Sequence, residues 1–433
     1  MNSENQNMLG LSRNRLLESS PTVSFIAEYK EIIDIERLKN AFAMLCVKEP
    51  LINKKAVILN NGDCILEDCK ENTVSVITGE FDTLLFYDDI RGIYINPLNG
   101  LFKFMTVNGK FVIALCHICV GDVKSLAILI EELFGFYEKK SKNAEPKNVF
   151  LFSDKNDIPA NINTFIIEKI TGELELDWYK KKKHFKESNY QKYFSACEKE
   201  RERVTKTFIL SKRKTEEFKE CCKLRETDFS TELCGLFFYS LSDKKRNKKY
   251  NSLNFGSDIR YFDDKPYELG VGPFGVYAAV MKPKKKYVSK KGKEKAFHDE
   301  IYKKVTSAFC SYYDDLFLMN VHPRLCDASY FYSKGLCKIK CVEKFSKNYG
   351  CDNKKKLKFD FYNFDLKPWE ALHGFDYINC TGNFSGKDDF YVSAVVRNRE
   401  TVITVTADKK LYGENINEIC ENVIKKIDMA INT

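Results

Sequence analysis

The stretch INPLNGLFKFMTVNGKFVIALCHICVGDVKSLAILIEELFGFYEK, residues 95–139, decides the reading of this chain. Asn108 and Gly109 both tolerate positive φ, and they separate two apolar runs, Leu101 to Val107 and Phe111 to Cys116. That is a hairpin signal. His117 follows directly on the second run. A small polar turn, Gly121-Asp122, then leads into Ser125 to Tyr137, where Leu126, Leu129, Ile130, Leu133, Phe134 and Tyr137 recur at helical spacing.

Of the five histidines (His117, His184, His298, His322 and His373), only His117 lies between an apolar strand and an apolar helix. An imidazole with an unperturbed pKa near ~6.5 is the natural base at neutral pH. A strand-to-helix turn would hold it rigid and partly buried, as a general base requires. A lone histidine in such a place is also commonly a packed core residue, so position alone leaves both readings open.

Upstream, Ile35 to Cys46 puts Leu38, Phe42 and Leu45 on one face of a helix, and Glu49-Pro50 stops it. Strands are expected at Ala56 to Leu59 and Thr83 to Tyr87. Residues 151–204 are dominated by Lys, Asn, Glu and Asp and read as a crossover between lobes. Beyond it come a strand near Thr205 to Leu210, helices near Lys214 to Lys223 and Ser230 to Ser242, and strands at Ser252 to Gly256 and Gly275 to Met281. Strands at Tyr391 to Val396 and Thr401 to Ala407 and a helix from Asn415 to Ile431 close the chain. Strand runs and long helices are segregated, which predicts an α/β (α+β) protein of two sandwich lobes, 1–150 and 205–433.

Composition narrows the function. A 433-residue chain with 44% hydrophobic and 30% charged residues is neither disordered nor fibrous, and its length favours two or three domains. No run reaches the roughly 18 apolar residues of a membrane span, and MNSENQNMLG lacks the features of a secretory signal. The 16 cysteines follow no small-domain spacing, so free thiols and a cytoplasmic location are expected. Cys116, His117 and Cys119 have no second cluster at ligand spacing, so no metal is expected. The net charge of +9 comes largely from Lys180 to Lys183, Lys284 to Lys286 and Lys354 to Lys356. These runs suit solvated faces, or a basic mouth for a phosphorylated ligand. They lack the aromatic and glycine interleaving of a nucleic-acid binder, and no nucleic acid is expected.

The 95–139 stretch resembles the catalytic segment of the CoA-dependent acyltransferase superfamily, which includes condensation domains, alcohol acetyltransferases and chloramphenicol acetyltransferase. The family signature is HHxxxDG after a strand, then a serine-containing turn and a helix. Asn254 to Phe262 (NFGSDIRYF), Gly270 to Tyr277 (GVGPFGVY) and Cys380 to Gly386 (CTGNFSG) resemble later family segments in the same order. The resemblance implies two chloramphenicol-acetyltransferase-like lobes forming a V with a tunnel between them. It implies transfer of an acyl group from a CoA or phosphopantetheine carrier-protein thioester to an alcohol or amine, with His117 as general base and no tightly bound cofactor. Asn383, Thr381 and Ser385 become candidates for holding the oxyanion, and Arg260 for pairing with the motif aspartate.

Two departures stand out. Cys116 replaces the first histidine, and the motif's Asp-Gly reads Gly121-Asp122. We therefore expect Asp122 to reach Arg260 through a rearranged turn in which Gly121 supplies an unusual backbone angle. The alternative is that Asp122 caps the helix beginning near Val123. The same departure keeps open a catalytically inactive relative that binds a carrier protein or small ligand.

Overall fold

Asn108 and Gly109 are both left-handed, with φ of 51° and 58°, and the Lys110 N–H closes the turn on the Val107 carbonyl at 3.0 Å. The expected hairpin forms. The computed structural model describes residues 6–8, 10–18, 22–69, 72–79, 90, 93–140, 144–148, 172, 176, 178, 180, 185–199, 203–242, 250–258, 270–272, 275–281, 323–348, 357–365, 371–381, 390–397 and 399–432. The strand expected at Thr83 to Tyr87 lies outside these residues.

The first half contains β1 (Gln6–Asn7), α1 (Gly10–Asn14), β2 (Thr22–Tyr29), α2 (Ile35–Lys48), β3 (Lys54–Ile58), β4 (Cys64–Asp68), β5 (Val74–Ile77), β6 (Phe102–Val107), β7 (Phe111–His117), α3 (Val123–Tyr137) and α4 (Glu187–Lys199). The second half contains β8 (Arg203–Leu210), α5 (Lys212–Leu224), α6 (Phe229–Ser242), β9 (Tyr250–Asp258), β10 (Gly275–Met281), α7 (Pro323–Ser333), α8 (Lys340–Asn348), β11 (Leu357–Asp365), β12 (Phe375–Thr381), β13 (Phe390–Arg397), β14 (Glu400–Asp408), α9 (Lys409–Tyr412) and α10 (Ile416–Ile431).

Two sheets organise these elements. The first runs β12-β2-β7-β6-β5, the second β10-β9-β11-β13-β14-β8, and β1-β4-β3 form a small third sheet. Helices α2 and α3 cover the first sheet. The Asp34 carboxylate starts α2 by accepting the Arg37 N–H at 3.0 Å, and Pro50 ends it by opening a short 3-10 turn. Its buried face, Leu38, Ala41, Phe42 and Leu45, meets the strands, with the Phe42 and Phe104 rings 4.8 Å apart. On the second sheet, Val392, Ala394, Val396, Ile403 and Val405 pack with Phe218 of α5, Phe237 of α6 and Val423 of α10 in a separate core.

The chain crosses between these layers more than once. β12 comes from the second half yet pairs with β2 in the first sheet, Thr381 opposite Ser24 and Phe375 opposite Tyr29. The Phe375 ring packs 4.6 Å from Phe134 and 5.3 Å from Tyr29. Within residues 151–204 the structure forms α4, whose Tyr190, Tyr193, Phe194 and Cys197 enter the first core beside Phe331 and Val342 of α7 and α8.

A buried ion pair ties this core together. The Arg13 guanidinium of α1 donates to both Asp327 oxygens of α7, at 2.7 and 2.5 Å, and to the Tyr190 hydroxyl of α4 at 3.0 Å. Tyr190 in turn donates to Asp327. Burial and the neighbouring carboxylate push the Tyr190 phenol up, so it stays a protonated donor. Such a pair adds little net stability over an apolar replacement, but removing one partner strands the other charge. Asp327→Ala is expected to cost about 3–5 kcal/mol, and Arg13→Met with Asp327→Leu to recover most of it. Urea unfolding checks both, and a double mutant as unstable as the single one contradicts the account.

Candidate active site

His117 is the last residue of β7 and is fully buried. Its backbone is held on both sides: the N–H donates to the Leu101 carbonyl at 2.9 Å, and its carbonyl accepts the Val120 N–H at 3.0 Å. The ring is held as well, because Nδ1 accepts the Cys119 N–H at 3.2 Å. In a neutral imidazole that bond puts the proton on Nε2.

The strand register shows which way His117 looks. Thr22 lies opposite His117, and Ser24 lies opposite both Leu115 of β7 and Thr381 of β12. Opposed residues share a face and alternate residues return to it. His117, Thr22, Ser24, Thr381 and Asn379 therefore lie on one face of the first sheet. That face turns toward the second sheet, since the Asn379 side chain accepts from the Thr404 hydroxyl at 2.8 Å and donates to Thr207 at 3.1 Å. Ser393 donates to the Cys380 carbonyl at 2.6 Å. The hydroxyls of Ser24 and Thr381 meet at 2.5 Å.

Asp122 is the N-cap of α3. Its Oδ1 accepts the Ser125 N–H at 2.7 Å and lies 2.9 Å from the Ser125 hydroxyl. Asp122 thus caps α3; Arg260, its other expected partner, lies outside the described residues, as do Asn383 and Ser385. Gly121 corrects the sequence expectation. Its backbone is not left-handed; instead a Cβ placed there would stand 2.9 Å from the Cys116 Sγ and 3.4 Å from the Ser125 Cβ. Glycine is needed for room, not for an angle.

Burial pushes the Cys116 and Cys119 thiols well up, and the Asp122 carboxylate adds to the effect on Cys116. Both stay neutral, so neither is a nucleophile. Among the described residues no cluster of three or more His, Cys, Asp or Glu could hold a metal, and no helix is long and apolar enough to cross a membrane.

No protein-family model matches the chain, and no curated protein is similar to it in sequence. Solved structures match it along almost its whole length. TRI3 trichothecene 15-O-acetyltransferase from Fusarium sporotrichioides superposes with a TM-score of 0.66 at 9% identity, covering 99% of this chain and 95% of that one. Polyketide synthase associated protein 5 from Mycobacterium tuberculosis gives 0.60 at 10% identity, covering 99% and 98%. The condensation domain of the Monacolin K polyketide synthase MokA gives 0.60 at 9% identity, covering 98% and 96%. This chain has the condensation-domain fold.

Within that fold sequence reasoning singled out His117 and Thr381, which share this face, and Asp122, which caps α3. It missed Thr22, Ser24 and Asn379, which reach the same face through long-range pairing. It also missed the partners of Ser125, whose hydroxyl donates toward the Gly272 carbonyl at 2.8 Å and accepts the Gly272 N–H at 3.1 Å.

The tight corner at Gly121 gives a test. Gly121→Ala is expected to cost about 1–3 kcal/mol through overpacking. With Cys116→Ala in place the added methyl has room, so the double mutant should lose clearly less than the sum of the singles. Strict additivity in urea unfolding would mean that Gly121 is held for another reason.

Proposed function

We propose that this condensation-domain fold is an acyltransferase that moves an acyl group from a CoA or carrier-protein thioester to a hydroxyl or amine, with His117 as general base. What carries the reading is a fully buried imidazole, fixed through backbone and ring, on the face of the first sheet that turns toward the second. The donor and acceptor would meet in a tunnel along that face. Lysines at the lobe boundary would meet the phosphates of CoA.

In this reaction His117 takes the proton of the acceptor as its oxygen or nitrogen attacks the thioester carbonyl. The carbonyl oxygen becomes an oxyanion, for which Thr381, Asn383 and Ser385 are the candidate donors. Collapse of the tetrahedral intermediate breaks the C–S bond, and the imidazolium returns the proton to the departing thiolate. Arg260 and Asp122 support the turn in this reading.

The resting tautomer bears on this step. Nε2 carries the proton while Nδ1 holds the Cys119 N–H, so a base at Nε2 must first give up that 3.2 Å bond. Leaving that buried N–H unpaired costs about 1–3 kcal/mol, or roughly 5- to 150-fold in rate. A positioned base contributes about 10²–10⁴-fold, so the gain exceeds the toll over most of this range.

Release of free thiol, followed with a panel of acyl-CoAs against alcohols and amines, tests the proposal. His117→Ala should lower kcat/KM by about 10²–10⁴-fold while the fold, followed by circular dichroism, is kept. Wild-type turnover in His117→Ala would falsify the assignment. Absence of turnover with every CoA and carrier-bound donor would favour a ligand-binding relative.

A further inference from the structure

Asp122 alone suffices to cap α3, since its carboxylate accepts the Ser125 N–H at 2.7 Å. The Ser125 hydroxyl is therefore not needed for the cap, yet it is fully buried and engages Gly272, 147 residues away in the chain. We propose that Ser125 is a positioning residue of the transfer reaction, latching the Gly270–Gly272 segment of the second half onto the turn that carries His117. The proposal rests on the acyltransferase reading above.

The geometry is that of a shared clasp. A hydroxyl has one proton and two lone pairs. Asp122 Oδ1 at 2.9 Å and the Gly272 carbonyl at 2.8 Å compete for the proton, while the Gly272 N–H, at 3.1 Å, is accepted in either case. The carboxylate that caps α3 and the latched Gly272 thus meet at one hydroxyl. The segment is also packed: Val271 is buried in the first core, and Gly270 turns the chain with a φ of 52°. Because this segment connects β9 and β10, the edge pair of the second sheet, the latch fixes that edge against the first lobe.

The path from latch to imidazole is short. Ser125 and Cys116, the residue before His117, wedge together over Gly121, where a Cβ would stand 3.4 Å from the Ser125 Cβ and 2.9 Å from the Cys116 Sγ. The same turn supplies the Cys119 N–H that sets the ring. If Ser125 loses its grip on Gly272, the wedge loosens and the imidazole loses its fixed position. Small misplacements of this kind cost up to about 10²-fold in rate.

The test compares wild type, Ser125→Ala and Ser125→Thr in two measurements. In the thiol-release assay Ser125→Ala should lower kcat by about 10–100-fold with little change in KM, and Ser125→Thr, which keeps the hydroxyl, should recover most of it. In hydrogen exchange Ser125→Ala should speed exchange in peptides covering both 118–126 and 268–276, with Thr restoring protection. Unchanged kcat in Ser125→Ala, failure of Thr to rescue, or faster exchange in 118–126 alone would overturn the proposal. If Ser125→Ala does not fold, Ser125→Cys, a near-isostere with a weaker donor, is read by the same criteria. If wild type turns over no donor, the acyltransferase reading and the positioning role fall together, and the exchange comparison alone decides whether the latch exists.

Discussion

Phe375–Thr381 of β12 and Thr22–Tyr29 of β2 pair across most of the length of the chain, and the candidate site is built on that pairing. β2 is the strand that sets Thr22 against His117, so β12 brings Thr381 and Asn379 onto the histidine's own face. The fit is close. Gly374, just before β12, passes the Tyr29 ring so tightly that a Cβ there would stand 2.7 Å from it. Tyr29, Phe134, Tyr137 and Phe375 then stack strand, helix and incoming strand into one aromatic cluster. Each such ring buried contributes roughly 1.5–3 kcal/mol, more than any single hydrogen bond at the interface.

The two sheets meet in an unusual chemical balance. Their outer faces are apolar and covered by helices, whereas their junction at β12 is made by Asn379, Thr207, Thr404 and Ser393 through hydrogen bonds. Buried polar groups are tolerated only when partnered, and here they are partnered across the junction. Directional bonds fix the spacing of the sheets where an apolar contact would let them slide. A buried imidazole with both backbone groups and one ring nitrogen engaged shares this logic: the surroundings fix its orientation.

Where sequence and structure agree, the signals are local. Asn108-Gly109 specifies its own turn, α3 carries its apolar stripe in consecutive turns, and β13, β14 and α10 announce themselves by composition. β2 escaped because nearly all of TVSFIAEY is buried on both faces, which leaves no alternation to read. α4 escaped because its charges dominate, although Tyr190, Tyr193, Phe194 and Cys197 stand at the i, i+3, i+4, i+7 spacing that marks a buried face. Arg13 and Asp327 are 314 positions apart, and nothing local distinguishes them from surface charges. Gly121 was noticed for the wrong reason: backbone freedom is a property of glycine itself, whereas crowding by Cys116 becomes visible only in three dimensions. Asp122 could cap a helix or reach an arginine on local grounds, and only the structure shows the cap.

The donated strand also dictates when the protein can become whole. Synthesis proceeds from the N-terminus, so β2, β7 and α3 leave the ribosome long before Phe375 does. Until then β2 presents an open hydrogen-bonding edge, and such edges invite pairing with other chains. Tyr29 and Phe134 must meanwhile wait for Phe375, and Arg13 for Asp327. The candidate site therefore cannot mature in the order in which it is encoded. The nascent first half is the stage at which this chain most needs a chaperone's cover.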